Sequence, residues 1–555
     1  MSWKDVTVPR KFFELPDSPQ LEDMINAGYG ILAGRSDDDT LSRMIVKMPD
    51  GREFLVNDDC CWFYTDVQCH YHSLFGWRPF CSAEMRKLDF TTWSLGFIDQ
   101  VSEQLQQYFR DTYGMQDPPP VGWMPAQFNP DEKHFMHKSP GQFYCNVLPD
   151  TQEWAFEEDK LNPGYHCFSR MGKHDLNPDY PLMNCISVTD WILWERDEEV
   201  ARQYLPRVEQ FLTILNTKRD KSGFFLFGPQ GSQIEFAHGG NRHQASTHLY
   251  YWKVVSNLSQ IYALFGQDEE SQHCLQLAED AHDKVSRFWV SDGWFISGFS
   301  EGFSRVYGNG RLDGSLSDYL EVWPNVNAAV LGYLDRDQCR AMADRFESIP
   351  QLVENHLTIT NYPARPVEEL DDDHGGFPPP GRHINGGWWW MHSGLALGMY
   401  TRGGHPQTLL RLEELLEDHL NRLSIDGYYD WGINKESQYK DLAGNEGTEF
   451  PTHTETAHSV GTAGAFGHFY RSLFDLRPTA NSLLVTPACL SRIKNLKLKE
   501  PVRWGGKELF LELYGNGKLT KATLDGKEIE IADSQTVEIL FDSLNEKSSL
   551  KMEFE

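Results

Sequence analysis

The feature that most constrains this chain is a repeated rhythm of helix, short glycine-bearing turn, helix and long loop, running from about residue 91 to about residue 476. Apolar residues at helical spacing predict helices over 188–195, 198–216, 244–265, 269–288, 325–334, 336–347, 388–400, 407–423 and 460–474, most of them in adjacent pairs. In 244–265 the residues Leu249, Trp252, Leu258, Ile261 and Leu264 keep that spacing, and Gly266 stops the helix ahead of Asp268. Gly403-Gly404 does the same between 388–400 and 407–423. Stacked αα-hairpins, a mainly α fold, are the expected outcome.

The two ends of the chain read differently. Within 1–80 the runs 44–48 and 53–56 flank Pro49-Asp50-Gly51, a predicted hairpin in a small β-containing region. After Arg477-Pro478 the pattern alternates, as in Lys494–Leu498 and Glu508–Leu513, and Gly515-Asn516-Gly517 and Asp525-Gly526 read as hairpin turns. The expected organisation is therefore an N-terminal region 1–80, a helical catalytic domain 81–480, and an antiparallel C-terminal module 481–555 acting as a structural cap.

Charge narrows the range of partners. The 555 residues carry 51 Lys plus Arg against 81 Asp plus Glu, a formal charge of −30, which repels phosphate backbones and anionic lipid. Nucleic-acid and membrane partners are not expected, and no run approaches the roughly 18 apolar residues of a membrane span. The first thirty residues do not read as a secretory leader, and the ten cysteines form no C-x-x-C pair, so a cytoplasmic home without disulfides is expected. Oligomerisation as copies of the same chain stays open.

Aromatic residues point to chemistry. The 17 Trp, 22 Tyr and 33 Phe lie often in loops beside Gly, His, Asn and carboxylates, a mixture that suits either sugar rings with their stacking faces and hydroxyls or a large aromatic core. Three loops stand out. The first, 221–243, carries Glu235 between Ile234 and Phe236, where apolar neighbours disfavour the ionised carboxyl as a general acid requires; His238, Asn241, Arg242 and His243 follow. The second, 446–458, holds Glu449, His453, Glu455 and His458; Glu455 sits among Thr and His side chains that keep it ionised as a base or nucleophile, with Glu449 as the alternative. The third runs through Arg382, His383 and Asn385 to Trp388-Trp389-Trp390, which spread about 100° apart on a helix, so that one of them opens onto a cleft. No metal-ligand spacing and no phosphate-binding or dinucleotide motif appears, so neither metal nor cofactor is expected.

At these loops the chain resembles the six-hairpin glycosidase superfamily, the (α/α)6 toroid of glucoamylases, trehalases, α-rhamnosidases, debranching glucosidases and disaccharide phosphorylases. The resemblance covers about 85–500 and rests on 190–194, beginning Asp190-Trp191; on 223–233 leading to Glu235; on 323–328, including Trp323 and Asn325; and on 385–390. It implies an (α/α)6 toroid and an inverting, exo-acting glycoside hydrolase with a carbohydrate substrate. Glu235 would be the acid, Glu455 or Glu449 the base, and the named His, Asn, Arg, Trp and Asp residues would line the subsites. A phosphorylase, with phosphate held by Arg382, His383 and His453, is the nearest alternative. A sugar epimerase using His238, His243, His453 and His458 as bases is another.

Overall fold

The computed structural model describes residues 11–32, 45–47, 53–55, 65–66, 78–80, 101–113, 120–124, 127–128, 178–227, 242–290, 293–300, 306–307, 320–354, 356–357, 361–363, 390–422, 471–488, 493–532 and 535–555, with six helical positions between 83 and 94. In chain order its principal helices are α1 (Pro19–Leu32), α2 (Glu103–Tyr113), α3 (Asp179–Glu195), α4 (Glu198–Asn216), α5 (Ala245–Leu264), α6 (Asp268–Ser286), α7 (Val322–Val330), α8 (Arg336–Glu347), α9 (Trp390–Arg402) and α10 (Thr408–Arg422).

Helices α3 to α10 make four hairpins of unlike members. Every residue of α3 from Asp179 to Trp194 is buried, as is all of α7. Their partners α4 and α8 bury one stripe, in α4 made by Ala201, Tyr204, Leu205, Val208, Phe211, Leu212 and Leu215. A helix apolar all round belongs in the interior and a one-sided helix on the surface, so α3, α5, α7 and α9 form an inner layer wrapped by α4, α6, α8 and α10. The inner helices pack in sequence, α3 on α5, α5 on α7 and α7 on α9.

Local chemistry sets the helix ends. Asp197 accepts the Glu199 and Val200 N–H groups at 3.0 Å and starts α4 immediately after Arg196, in the left-handed region at φ 57°, ends α3. Asp335 and Gln338 form a reciprocal capping box at the head of α8. Two inner helices start earlier than the periodicity predicts, α3 at Asp179 and α7 at Val322. Pro181 and Pro324 sit within their first turns, where the missing N–H has no intrahelical acceptor to lose, so proline does not mark the boundary.

The C-terminal module begins before residue 481. Strand Phe474–Pro478 pairs with Ser482–Pro487, which pairs with Val537–Leu540. A second, seven-stranded sheet includes strand Phe13–Glu14, paired with Asn495–Leu498. Asn26 of α1 holds that N-terminal strand, accepting Phe12 and Phe13 N–H at 2.7 and 3.0 Å and donating to Phe13 O at 2.9 Å, while α1 packs on α10. Residues 12–32 are thus shared between sheet and helical layer and do not form a region apart. The hairpin expected near residue 50 is present, Ile45–Lys47 against Glu53–Leu55.

The module is not wholly antiparallel. Asp525-Gly526 is the expected two-residue hairpin turn, both residues at positive φ (51° and 80°). Gly515-Asn516-Gly517 is not a hairpin turn. The final strand Lys547–Phe554 inserts between the two segments it joins, parallel to Lys507–Gly515 and antiparallel to Leu519–Leu524. A Cβ on Gly515 would stand 2.1 Å from Phe554 O, so glycine is required by that late-coming strand rather than by a hairpin.

The module closes the end of the inner layer where α3 and α5 finish. Trp504 Nε1 donates to Leu193 O at 3.1 Å, Gly505 N to Trp194 O at 2.7 Å, and Arg196 Nη1 to Ala480 O at 2.7 Å. Arg196 lies over Phe541 at 4.0 Å, and Gln260 of α5 accepts from Ala480 N at 3.1 Å.

Candidate active site

Connection length defines the opposite end. Inner helices pass to outer ones through 196–197, 265–267, 331–335 and 403–407, whereas outer helices return to inner ones through 217–244, 287–321 and 348–389. The long segments therefore all enter at the N-termini of the inner helices. Side chains tie those N-terminal turns into one rim. Asp179 at the head of α3 accepts from Ser246 and Thr247 at the head of α5 at 2.7 and 2.5 Å. Tyr250 of α5 accepts from Trp323 Nε1 of α7 at 3.0 Å, and the Trp323 ring lies 5.1 Å from His392 of α9. Four helix N-termini, each the positive end of its dipole, share this rim, a setting that favours ionised carboxylates and developing negative charge.

Two buried histidines brace one entrance. His248 Nδ1 donates to Gln244 O at 2.6 Å while its Nε2 accepts Phe225 N–H at 3.0 Å, and His243 Nδ1 meets Phe225 O at 2.9 Å. These contacts join Phe225 to the head of α5, the described residues on either side of 228–241, which bears Glu235. Burial pushes His248 down to about 3. Because the unfolded chain protonates near the ordinary 6.5, the unfolded state binds more protons between those values, and His248 stabilises the fold fully above about pH 6.5 and progressively less as pH falls toward 3. His248→Gln is expected to remove a slope of up to about 1.4 kcal/mol per pH unit in that window. Urea midpoints at pH 7 and pH 5 check this: the wild type should lose more stability than the variant.

The described residues sort the sequence candidates. Trp323 is buried at the rim and committed to Tyr250. Asn325 is fully buried, accepting Phe295 N–H at 2.8 Å and donating to Glu321 O at 2.5 Å, so it ties the head of α7 to the strand at Phe295. His243 is likewise fully buried, with Nε2 3.4 Å from Asp220. Trp191 stacks on Phe90 at 4.2 Å with Nε1 donating to Arg86 O at 3.4 Å, in the half of α3 far from the rim. Asp190, in the same half, meets the buried Arg78 at 3.2 Å. Arg242 is described in its strand backbone and Trp390 as the first residue of α9. Glu235, His238, Asn241, Arg382, His383, Asn385, Trp388, Trp389, Glu449, His453, Glu455 and His458 lie outside the described residues.

Sequence reasoning overlooked Asp179 and His248, whose contacts tie the heads of α3 and α5 and brace Phe225. Among the described residues no three His, Cys, Asp or Glu side chains gather as metal ligands would.

No family model matches the chain, and no curated protein matches it. It is similar to a solved structure named "Sialidase" at 14% identity and TM-score 0.47, with 96% of this chain and 41% of that one covered. The chain therefore spans about 41% of that protein's length. It is also similar to a GH63 mannosylglycerate hydrolase from Thermus thermophilus in complex with glucose, at 12% identity over 75% of this chain and 95% of that one, TM-score 0.44. A third, a wild-type protein named "Glycosidase", has 13% identity over 82% of this chain and 97% of that one, again at TM-score 0.44. Proteins named as glycosidases thus stand among the solved structures to which this chain is similar.

Proposed function

We propose that the protein is a glycoside hydrolase, inverting and exo-acting, whose site lies at the rim of inner-helix N-termini. The observation that carries the reading is topological: the segments bearing Glu235 and the run Arg382 to Trp389 connect outer helices to the heads of α5 and α9. The segment bearing Glu449 and Glu455 likewise leads from α10 toward the helix that ends at Leu473. Two carboxyl groups from separate segments are what glycosyl transfer to water needs, one to protonate the leaving oxygen and one to deprotonate water.

The fold is read as a six-hairpin toroid. Four hairpins are those above; the helical positions Ala83 to Ser94 with α2, and the helix ending at Leu473 with α1, supply the other two pairs. This is supported by Phe90 stacking on α3 and by α1 packing on α10. A panel of glycosides run with and without phosphate, with product anomers followed by NMR, tests the reading. The expected result is phosphate-independent release of one terminal sugar with inverted configuration. Phosphate-dependent release of a sugar phosphate would make the protein a phosphorylase.

A further inference from the structure

The turn between α9 and α10 is gripped from two sides at the closed end of the inner layer. A Cβ on Gly403 would stand 2.7 Å from the backbone N of Arg340 in α8, and one on Gly404, at φ 62°, would stand 2.1 Å from Gln535 Oε1 of the C-terminal module. Arg340 Nη1 donates to Gly404 O at 3.1 Å. Next in the chain comes His405, a buried side chain edge-on to Tyr400 at 4.7 Å. Both of its ring nitrogens are engaged, and the contacts fix which one carries the proton. A backbone N–H can only donate, so Nδ1, 3.2 Å from Gln407 N, accepts through a bare lone pair. Nε2 therefore carries the hydrogen and donates to Asp344 of α8 at 3.2 Å. The His405 carbonyl accepts the Thr408 hydroxyl at 2.7 Å and the Thr408 N–H at 3.2 Å. Thr408 opens α10, so the head of that helix hangs on one tautomer of one histidine. A second proton, on Nδ1, would set N–H against N–H and break the contact to Gln407.

Among the described residues, the charged groups facing the ring come from α8: Arg340, Asp344 and Glu347. Arg340 Nε holds Asp344 at 3.1 Å. Glu347 is held by Arg411 of α10, through Nε and Nη2 at 2.9 and 2.7 Å, and accepts the Tyr400 hydroxyl of α9 at 3.0 Å. From the module the turn meets the uncharged Gln535. Both carboxylates that would favour an imidazolium are thus engaged by guanidiniums, and burial, followed by the Arg340 charge, pushes His405 below the ordinary 6.5. An opened turn returns the ring to water, so the closed turn binds a proton more weakly than the open one. The hold on the turn is complete above about pH 6.5 and is lost progressively as pH falls below it.

We propose that His405 is an acid-sensitive latch, fastening the α9–α10 turn to α8 while Nδ1 is bare and releasing that turn locally when Nδ1 takes up a proton. Hydrogen exchange of the full chain, followed by mass spectrometry in peptides covering 403–411 and corrected for the intrinsic rate at each pH, reads the opening. Between pH 7.5 and pH 5 the opening constant is expected to rise at least about threefold in the wild type. It should stay level in His405→Asn, whose Oδ1 stands in for the Nδ1 lone pair and takes up no proton. His248 is present in both proteins, so the difference between them belongs to His405. In the 15N spectrum of ring-labelled histidine, the His405 signals, assigned by their loss in the variant, should show Nδ1 bare and Nε2 protonated at pH 7.5. A protonated Nδ1 at that pH, or equal acid responses of 403–411 in the two proteins, would overturn the latch. Should His405→Asn fail to fold, the wild-type exchange decides: a rise confined to 403–411 supports the latch, and no rise, or one equal to that of α5, removes it.

Discussion

Glu455→Ala is expected to abolish glycoside hydrolysis whatever the leaving group, because the attacking water loses the carboxylate that orients and deprotonates it. Azide should restore turnover by attacking the anomeric carbon from the vacated space, giving a glycosyl azide of inverted configuration. The acid variant Glu235→Gln should behave differently. It should lose about 10²-fold or more on natural linkages, where the departing alkoxide needs a proton, and far less on aryl glycosides with good leaving groups. The contrast between the two variants assigns the roles. If Glu449→Ala shows the azide-rescued phenotype instead, the base is Glu449 and the mechanism stands. If phosphate is the nucleophile, Glu455→Ala leaves phosphorolysis largely intact and azide adds nothing.

The second large effect is structural. Trp504→Ala should destabilise the protein by about 3–5 kcal/mol, the usual cost of emptying a buried tryptophan site. The ring is 1% exposed, stands edge-on to Phe541 at 4.9 Å and supplies the hydrogen bond to Leu193 O at the end of α3. Removing it opens a cavity and strips a helix C-terminal carbonyl of its donor. Because Arg196, Phe541 and Gly505 meet at the same point, the module and the helical layer should unfold together, with the guanidinium chloride midpoint of the whole chain shifted. Two separate transitions, of which only one moves, would show instead that the module is an independent unit.

This dependence on the module bears on the candidate site. The inner helices are anchored at one end by sheet contacts and carry their long segments at the other. The rim is therefore positioned by Asp179, Tyr250, Trp323 and His392.

What the sequence determined by itself was the local part. Helices α4 and α8 fall on 198–216 and 336–347 as their apolar spacing predicts, because period and capping act within a few residues; Asp525-Gly526 forms its turn because both residues accept positive φ. The alternation of short and long connections, also visible in sequence, already places Glu235 and the tryptophan run on segments entering one end. Only the tertiary structure decided the rest. The strand Phe13–Glu14 joins a sheet built from residues near 500, and the last strand inserts beside Lys507–Gly515, since strand pairing joins backbones far apart in the chain and leaves no local pattern. The same holds for side chains: no local pattern says that Asn325 joins Phe295 to Glu321 or that Trp191 stacks on Phe90.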